Sequence, residues 1–276
     1  MKKGIVSFKD KFSSFKSKSN SISMITCYDF PSAILVDNAA IDIALVGDSV
    51  GTNVLGYRSE KEVTISDMIH HTKAVSRGLE KTFLVADLSY GSYSNTKSLL
   101  KNSNSLIKAG ADAVKFEGFF PDYVLELSGY HIDVVCHLGL LPQTHEKKVL
   151  QANSFESAKV LIEQALTLEK SGASMLILEL VPEEISKLIV DLLTIPVIGI
   201  AAGRFCDGQV QIWHDVLGLS NKSYKHITNY ADLNSICKKV LHDYARDISS
   251  DKFLTLNQSF HVEDSIVDNL KSLFSN

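Results

Sequence analysis

Short apolar runs alternate along the chain with longer amphipathic stretches, an alternation that predicts parallel β-strands joined by crossover helices. Eight runs read as strands: Ser23–Tyr28, Ile43–Val46, Phe83–Asp87, Ala113–Glu117, Val134–His137, Met175–Glu179, Val197–Ile200 and Val210–Trp213. Successive strand ends lie about 30 residues apart, the length of one βα unit. The pairs Gly110-Ala111 and Gly172-Ala173 stand just before two of these strands and read as helix caps turning into them. The expected fold is α/β, a (β/α)8 TIM barrel of usual size for 276 residues. Residues 1–276 form one domain in this reading, with 1–22 an N-terminal helix and linker and 220–276 peripheral C-terminal helices. In that tail, residues 231–248 and 261–274 are amphipathic and suit barrel cover or subunit contact.

Four of the apolar runs end in a carboxylate: Asp48, Asp87, Glu117 and Glu179. In a parallel α/β protein the carboxyl ends of the strands are where ligands bind. Acids converging there point to a hard divalent cation, since Mg²⁺ prefers oxygen ligands completed by water and substrate. Lys115 stands two residues before Glu117, so the two side chains share a strand face. A cation beside metal-binding acids suits a substrate that brings its own negative charge. Ser49, next to Asp48, can donate to a substrate carboxylate. A Mg²⁺ ion chelating a 2-oxo acid would acidify the adjacent C–H, and Glu179, far in sequence from the two Asp residues, is the acid assigned to accept that proton. Competing readings make Asp48 and Asp87 helix caps, Lys115 and Glu117 an internal salt bridge, and His137 a core histidine. The Gly199–Gly203 segment lacks phosphate-loop spacing, so small residues there can serve close packing alone. His70 and His71 are adjacent in a helical stretch and cannot share a face as a metal pair.

Composition narrows the class further. A net charge of −4 with scattered Lys and Arg argues against a nucleic-acid partner. No apolar stretch reaches the roughly 20 residues of a membrane span, and the basic N-terminus lacks the apolar core of a secretory signal, so the expected location is the cytoplasm. Cys27, Cys136, Cys206 and Cys237 are too widely spaced for a zinc motif and read as reduced thiols, mainly packing residues.

Taken in order, the runs that carry these acids resemble the ketopantoate hydroxymethyltransferase family. The likeness lies in Met24–Asp29, Leu45-Val46-Gly47-Asp48-Ser49-Val50-Gly51, Val63–Thr72, Ala86-Asp87-Leu88, Val114-Lys115-Phe116-Glu117-Gly118, His137–Leu140 with Pro142-Gln143, Leu178-Glu179, Ile195–Gly203, Asp207–Gln209 and His214–Gly218. The resemblance implies a barrel of the phosphoenolpyruvate/pyruvate type. It implies transfer of the one-carbon unit of 5,10-methylenetetrahydrofolate to 3-methyl-2-oxobutanoate, giving 2-dehydropantoate for pantothenate synthesis. By position it makes Asp48, Asp87 and Glu117 the Mg²⁺-site acids, places Asp48, Ser49, Asp87 and Lys115 on the oxo acid with His137 nearby, and makes Glu179 the proton acceptor. It also implies a homo-oligomer, with a decamer as the expected form.

The sequence departs from that pattern after Pro142-Gln143. A glycine-rich loop with Gly-Gly-Tyr and Val-Gln-Gly is usual there; here the chain reads Thr144–Asn153 with only Val149-Leu150-Gln151 in its likeness. Losing those glycines restricts the backbone and bears on folate contact rather than on the metal chemistry. Ala201 also stands where a glycine is usual. Two alternatives share the acids: a Mg²⁺-dependent lyase or aldolase acting on a 2-oxo acid without folate, and a non-catalytic barrel.

Overall fold

The computed structural model describes residues 11–12, 21–144, 149–220, 224–250 and 252–275. Eight parallel strands close a barrel in sequence order: β1 (Ile22–Thr26), β2 (Ile43–Val46), β3 (Phe83–Asp87), β4 (Ala113–Glu117), β5 (Asp133–Gly139), β6 (Met175–Glu179), β7 (Val197–Ile200) and β8 (Gly208–Gln211). Between them run α1 (Phe30–Asn38), α2 (Ile65–Ser76), α3 (Thr96–Ala109), α4 (Pro121–Gly129), α5 (Phe155–Lys170) and α6 (Glu183–Leu192). After β8 come a short α7 (Trp213–Val216), α8 (Leu233–Ser249) and α9 (Asp264–Phe274).

Period-two alternation on each strand sorts the core into two layers. Ile22, Met24, Ile43, Leu45, Phe83, Val85, Ala113, Val135, Met175, Ile177, Ile198 and Val210 point inward and fill the barrel. Their neighbours Ile25, Ala44, Val46, Leu84, Ala86, Val114, Phe116, Val134, Cys136, Leu176 and Leu178 point outward and pack under the helices. Phe12 is fully buried and joins the inner layer, its ring edge-on to Phe83 at 5.2 Å. It is the part of the expected N-terminal helix that the structure describes; most of residues 1–22 lies outside the described residues.

Local sequence accounts for where the helices begin and end. Thr64, Asn95 and Ser154 cap α2, α3 and α5 by accepting the backbone N–H three residues on, which satisfies donors the first turn leaves orphaned. Gly110 and Gly172 close α3 and α5 as the sequence predicts. Asp29, also at a strand end, caps α1 through the Ser32 amide.

Three strands differ from the sequence reading. β5 begins one residue earlier than expected and ends two later, at Gly139. β1 starts one residue earlier than expected and ends at Thr26, and β8 starts two residues earlier, with Trp213 opening α7 instead of ending the strand. The pairing of Ile22 with Gly208 explains the shift. A Cβ at Gly208 would sit 2.3 Å from the Ile22 carbonyl oxygen, so the close approach demands glycine and leaves the strand without an apolar run. The C-terminal helices form where their amphipathic pattern places them, yet no residue of α8 or α9 is buried. All four cysteines are free thiols; Cys27, Cys136 and Cys206 are buried and Cys237 is exposed. Among the described residues no helix is long and apolar enough to cross a membrane.

Candidate active site

The inward stripe that fills the barrel turns polar at its carboxyl end. Asp87 follows Phe83 and Val85, Lys115 and Glu117 follow Ala113, His137 follows Val135, and Glu179 follows Met175 and Ile177. Strand register then decides which polar residues meet, for Asp87 pairs with Lys115 and Glu117 with His137 on neighbouring strands. Each of Asp48, Asp87, Lys115, Glu117 and His137 is at most 5% exposed.

Lys115 Nζ donates to Asp87 Oδ2 at 3.0 Å, and the Asp48 backbone N–H reaches the same oxygen at 3.1 Å. Asp87 Oδ1 is buried and accepts no hydrogen bond. Asp48 Oδ2 accepts from Gln143 Nε2 at 2.7 Å, and Glu117 Oε2 from the Gln143 backbone N–H at 2.9 Å. His137 stands between two acids, Nδ1 3.5 Å from Glu117 Oε1 and Nε2 3.3 Å from Glu179 Oε2. Both contacts are close enough for ion pairing, but neither is aligned as a hydrogen bond. Glu179, with 17% of its side chain exposed, is the most open acid of the set. Ser49 exchanges a hydrogen bond with the Tyr28 hydroxyl at 2.9 Å, and His71 Nδ1 lies 2.7 Å from the Tyr28 carbonyl oxygen. All seven expected site residues thus fall on one rim. The cap reading fails for Asp48 and Asp87, whose carboxylates bind other strands and loops.

Burial dominates the electrostatics. It pushes Asp48 up to about 8, reinforced by the Asp87 charge and opposed by Lys115. Burial also raises Asp87 despite Lys115. Burial opposes the charge on Lys115, but Asp87, Glu117 and Asp48 outweigh it and hold the ammonium. His137 is pulled the same two ways: burial lowers it, while Glu117 and Glu179 carry it up to about 9. Glu117 ends below the usual carboxylate range because His137, Lys115 and the Gln143 amide outweigh its burial. Fully ionised, four carboxylates face two cations. The unbalanced charge and the unpartnered Asp87 Oδ1 fit a divalent ion. Among the described residues no three His, Cys, Asp or Glu side chains converge into a metal cage.

Backbone detail supports the rim. A Cβ at Gly139, the end of β5, would lie 2.3 Å from the Glu179 carbonyl oxygen, and its φ of +92° is one that glycine adopts freely. Gly203 presses on Glu183 and Gly199 on Cys206, so the Gly199–Gly203 segment serves packing. Ala152 and Ala201 adopt φ of +51° and +52°, keeping a glycine-like backbone without glycine. A cavity of about 380 Å³ opens between Gly118-Phe119, Gly139, Gln151-Ala152 and α5, and none of the seven site residues lines it. Residues 145–148 of the divergent loop lie outside the described residues. Gln143 and Tyr93 are the residues that sequence reasoning left without a role. Gln143 sat in a quoted motif, whereas nothing local marked Tyr93, whose hydroxyl donates to Gln143 Oε1 at 2.6 Å.

The sequence pattern that defines ketopantoate hydroxymethyltransferase matches residues 8–255. The chain belongs to that family. A 3-methyl-2-oxobutanoate hydroxymethyltransferase of Bacillus pumilus (strain SAFR-032) is 42% identical over 270 residues, covering 94% of this chain and 96% of its own. A protein of the same name from Dehalococcoides mccartyi (strain ATCC BAA-2266 / KCTC 15142 / 195) is 39% identical over 268 residues, covering 94% and 95%. Among solved structures, 2,3-dimethylmalate lyase, a PEP mutase/isocitrate lyase superfamily member, superposes with a TM-score of 0.59 at 15% identity over 97% of this chain and all of its own. Phosphonopyruvate hydrolase in complex with oxalate and Mg²⁺ superposes at 0.61 with 9% identity over 98% of this chain and all of its own. At such identities these two show the fold alone, a closed (β/α)8 barrel.

Proposed function

We propose that this chain transfers the one-carbon unit of 5,10-methylenetetrahydrofolate to 3-methyl-2-oxobutanoate, giving 2-dehydropantoate for pantothenate synthesis. The observation that carries the reading is the split between two acid groups on one rim. Asp48 and Asp87 stand side by side with a buried oxygen free, while Glu179 waits, partly open, on the far side of His137.

In this reading Asp48 and Asp87 hold Mg²⁺ directly, and Glu117, both of whose oxygens are engaged, contributes its charge from behind. When bound, the ion would polarise the 2-oxo group and acidify the neighbouring C3–H. Ser49, oriented by Tyr28, donates to the substrate carboxylate, and Lys115 keeps a fixed positive charge in the pocket where enolate charge develops. Glu179 accepts the C3 proton; the C–H electron pair moves into the enolate and then forms the bond to the one-carbon unit. The two carbon–nitrogen bonds of that unit to the folate break as water supplies the hydroxyl, and the Glu179 proton and the second proton of water pass to the folate nitrogens as tetrahydrofolate leaves. His137 stands between Glu179 and Glu117, and its positive charge faces both. Family membership supports a cytoplasmic homo-oligomer, and the apolar residues exposed along α8 and α9 offer surface that subunit contacts would cover.

The test is product formation. With Mg²⁺, 3-methyl-2-oxobutanoate and methylenetetrahydrofolate, the protein should form 2-dehydropantoate, identified by mass spectrometry. Cleavage of a 2-oxo acid without folate, and no folate-dependent product, would instead support a lyase.

A further inference from the structure

Gln143 is fully buried, and its backbone N–H and its amide are all engaged within the acid cluster. Its backbone N–H donates to Glu117 Oε2 at 2.9 Å. Its side-chain Nε2 donates to Asp48 Oδ2 at 2.7 Å and to the Leu88 carbonyl at 3.1 Å. Its Oε1 accepts from the Tyr93 hydroxyl at 2.6 Å. These partners fix which way the amide points. The Leu88 carbonyl only accepts, so the NH₂ group must face it, and Asp48 Oδ2 lies within reach of the same nitrogen. Tyr93 has one proton to give, and the amide oxygen at 2.6 Å takes it in preference to the Glu117 carbonyl at 3.3 Å. A flipped amide would set its oxygen against the Leu88 carbonyl and its nitrogen against a hydroxyl proton.

We propose that Gln143 is the positioning residue of the metal-site acids, locked in orientation by Tyr93, and that it presents Asp48 to the ion by its Oδ1. The proposal rests on the function proposed above for this site. Gln143 takes up Asp48 Oδ2, which leaves Oδ1 as the oxygen the amide does not hold. It likewise takes up Glu117 Oε2 and leaves Oε1 toward His137. One residue therefore sets the rotation of two carboxylates carried by different strand ends. It also stands at the root of the divergent segment Thr144–Asn153, so the position of that segment's first residue and the aim of both acids are mechanically joined. Partners that orient metal ligands from behind typically govern affinity about 10–100-fold.

The experiment is Mg²⁺ titration calorimetry, without substrate, on wild type, Tyr93→Phe, Gln143→Leu and the double variant, with melting temperatures alongside. Gln143→Leu should weaken Mg²⁺ binding by about tenfold or more and Tyr93→Phe by a smaller factor. The double variant should be no weaker than Gln143→Leu, because Tyr93 acts only through the amide. Lowered melting temperatures with unchanged Mg²⁺ affinity would assign both residues a purely structural role and overturn the proposal, as would strictly additive losses or a wild type that binds no Mg²⁺. If Gln143→Leu does not fold, Tyr93→Phe alone decides, since it removes one hydroxyl and leaves the amide in place. Absence of 2-dehydropantoate formation would sink the proposed reaction while leaving the metal titration readable.

Discussion

Replacing Lys115 with Met keeps an apolar stem of similar length and removes one charge from a sealed pocket. Asp87, 2% exposed, then loses its 3.0 Å partner with Asp48 and Glu117 close by. Deleting one member of a buried ion pair costs about 3–5 kcal/mol, because the other is left uncompensated. Asp87 escapes part of that cost by binding a proton, so the penalty is smaller in acid and grows as pH rises. At about 2–4 °C per kcal/mol, the metal-free variant should melt roughly 6–20 °C below wild type near neutral pH. Mg²⁺ should recover part of the loss by restoring positive charge beside Asp87. If Lys115 also meets the developing enolate charge, kcat/KM should fall at least about tenfold, or about 1.4 kcal/mol. Scanning calorimetry with and without Mg²⁺, paired with steady-state kinetics, reads both effects. An unchanged melting temperature would refute the buried-pair argument; a lowered one with wild-type kinetics would confine Lys115 to holding the barrel together.

Other expectations follow from the same geometry. Asp48→Ala and Asp87→Ala should each abolish Mg²⁺ binding while leaving the barrel folded, with non-additive effects because both act through one ion; wild-type affinity in either contradicts their assignment. Ala201→Gly should stabilise the protein by roughly 0.5–1 kcal/mol, since relieving a left-handed alanine gains about 1–2 and the freer unfolded glycine takes back about 0.5–1. A melting temperature that does not rise would refute it. His137 is carried from 6.5 up to about 9 against its burial. A raised folded value means its stabilising contribution is complete below 6.5 and lost as pH rises through 9. The stability gap between metal-free wild type and His137→Gln should therefore shrink over that window, and a constant gap would contradict the ion pairing with Glu117 and Glu179.

The acids were legible because a polar residue at the end of an inward-facing apolar stripe stands out at period two; Asp87, Glu117 and Glu179 each end such a stripe. Lys115 was legible as the face-mate of Glu117. Its pairing with Asp87 was not, because that contact is set by the β3–β4 register, which no local pattern encodes. Gln143 carried no readable role, since its amide meets Asp48 from 95 residues away and Tyr93 from 50. A loop residue gains such partners only once the barrel has closed. β8 was misplaced for a different reason: Gly208, Gln209 and Gln211 present no apolar run, and the strand is held by backbone pairing to β1 and β7. The amphipathic pattern found α8 and α9 but not where they lie, because periodicity names a face without naming what it meets.

The most direct test of the account follows the C3 proton of 3-methyl-2-oxobutanoate by NMR in D₂O with Mg²⁺ and no folate. Wild type should exchange that proton for deuterium, because removal of the proton precedes transfer of the one-carbon unit. Glu179→Gln is nearly isosteric but accepts no proton, so it should bind Mg²⁺ and the oxo acid yet lose exchange by about 10²- to 10⁴-fold. Adding methylenetetrahydrofolate to wild type should turn exchange into 2-dehydropantoate formation. Exchange retained in Glu179→Gln, or none in wild type, would contradict the assignment of Glu179 and the enolate route built on it.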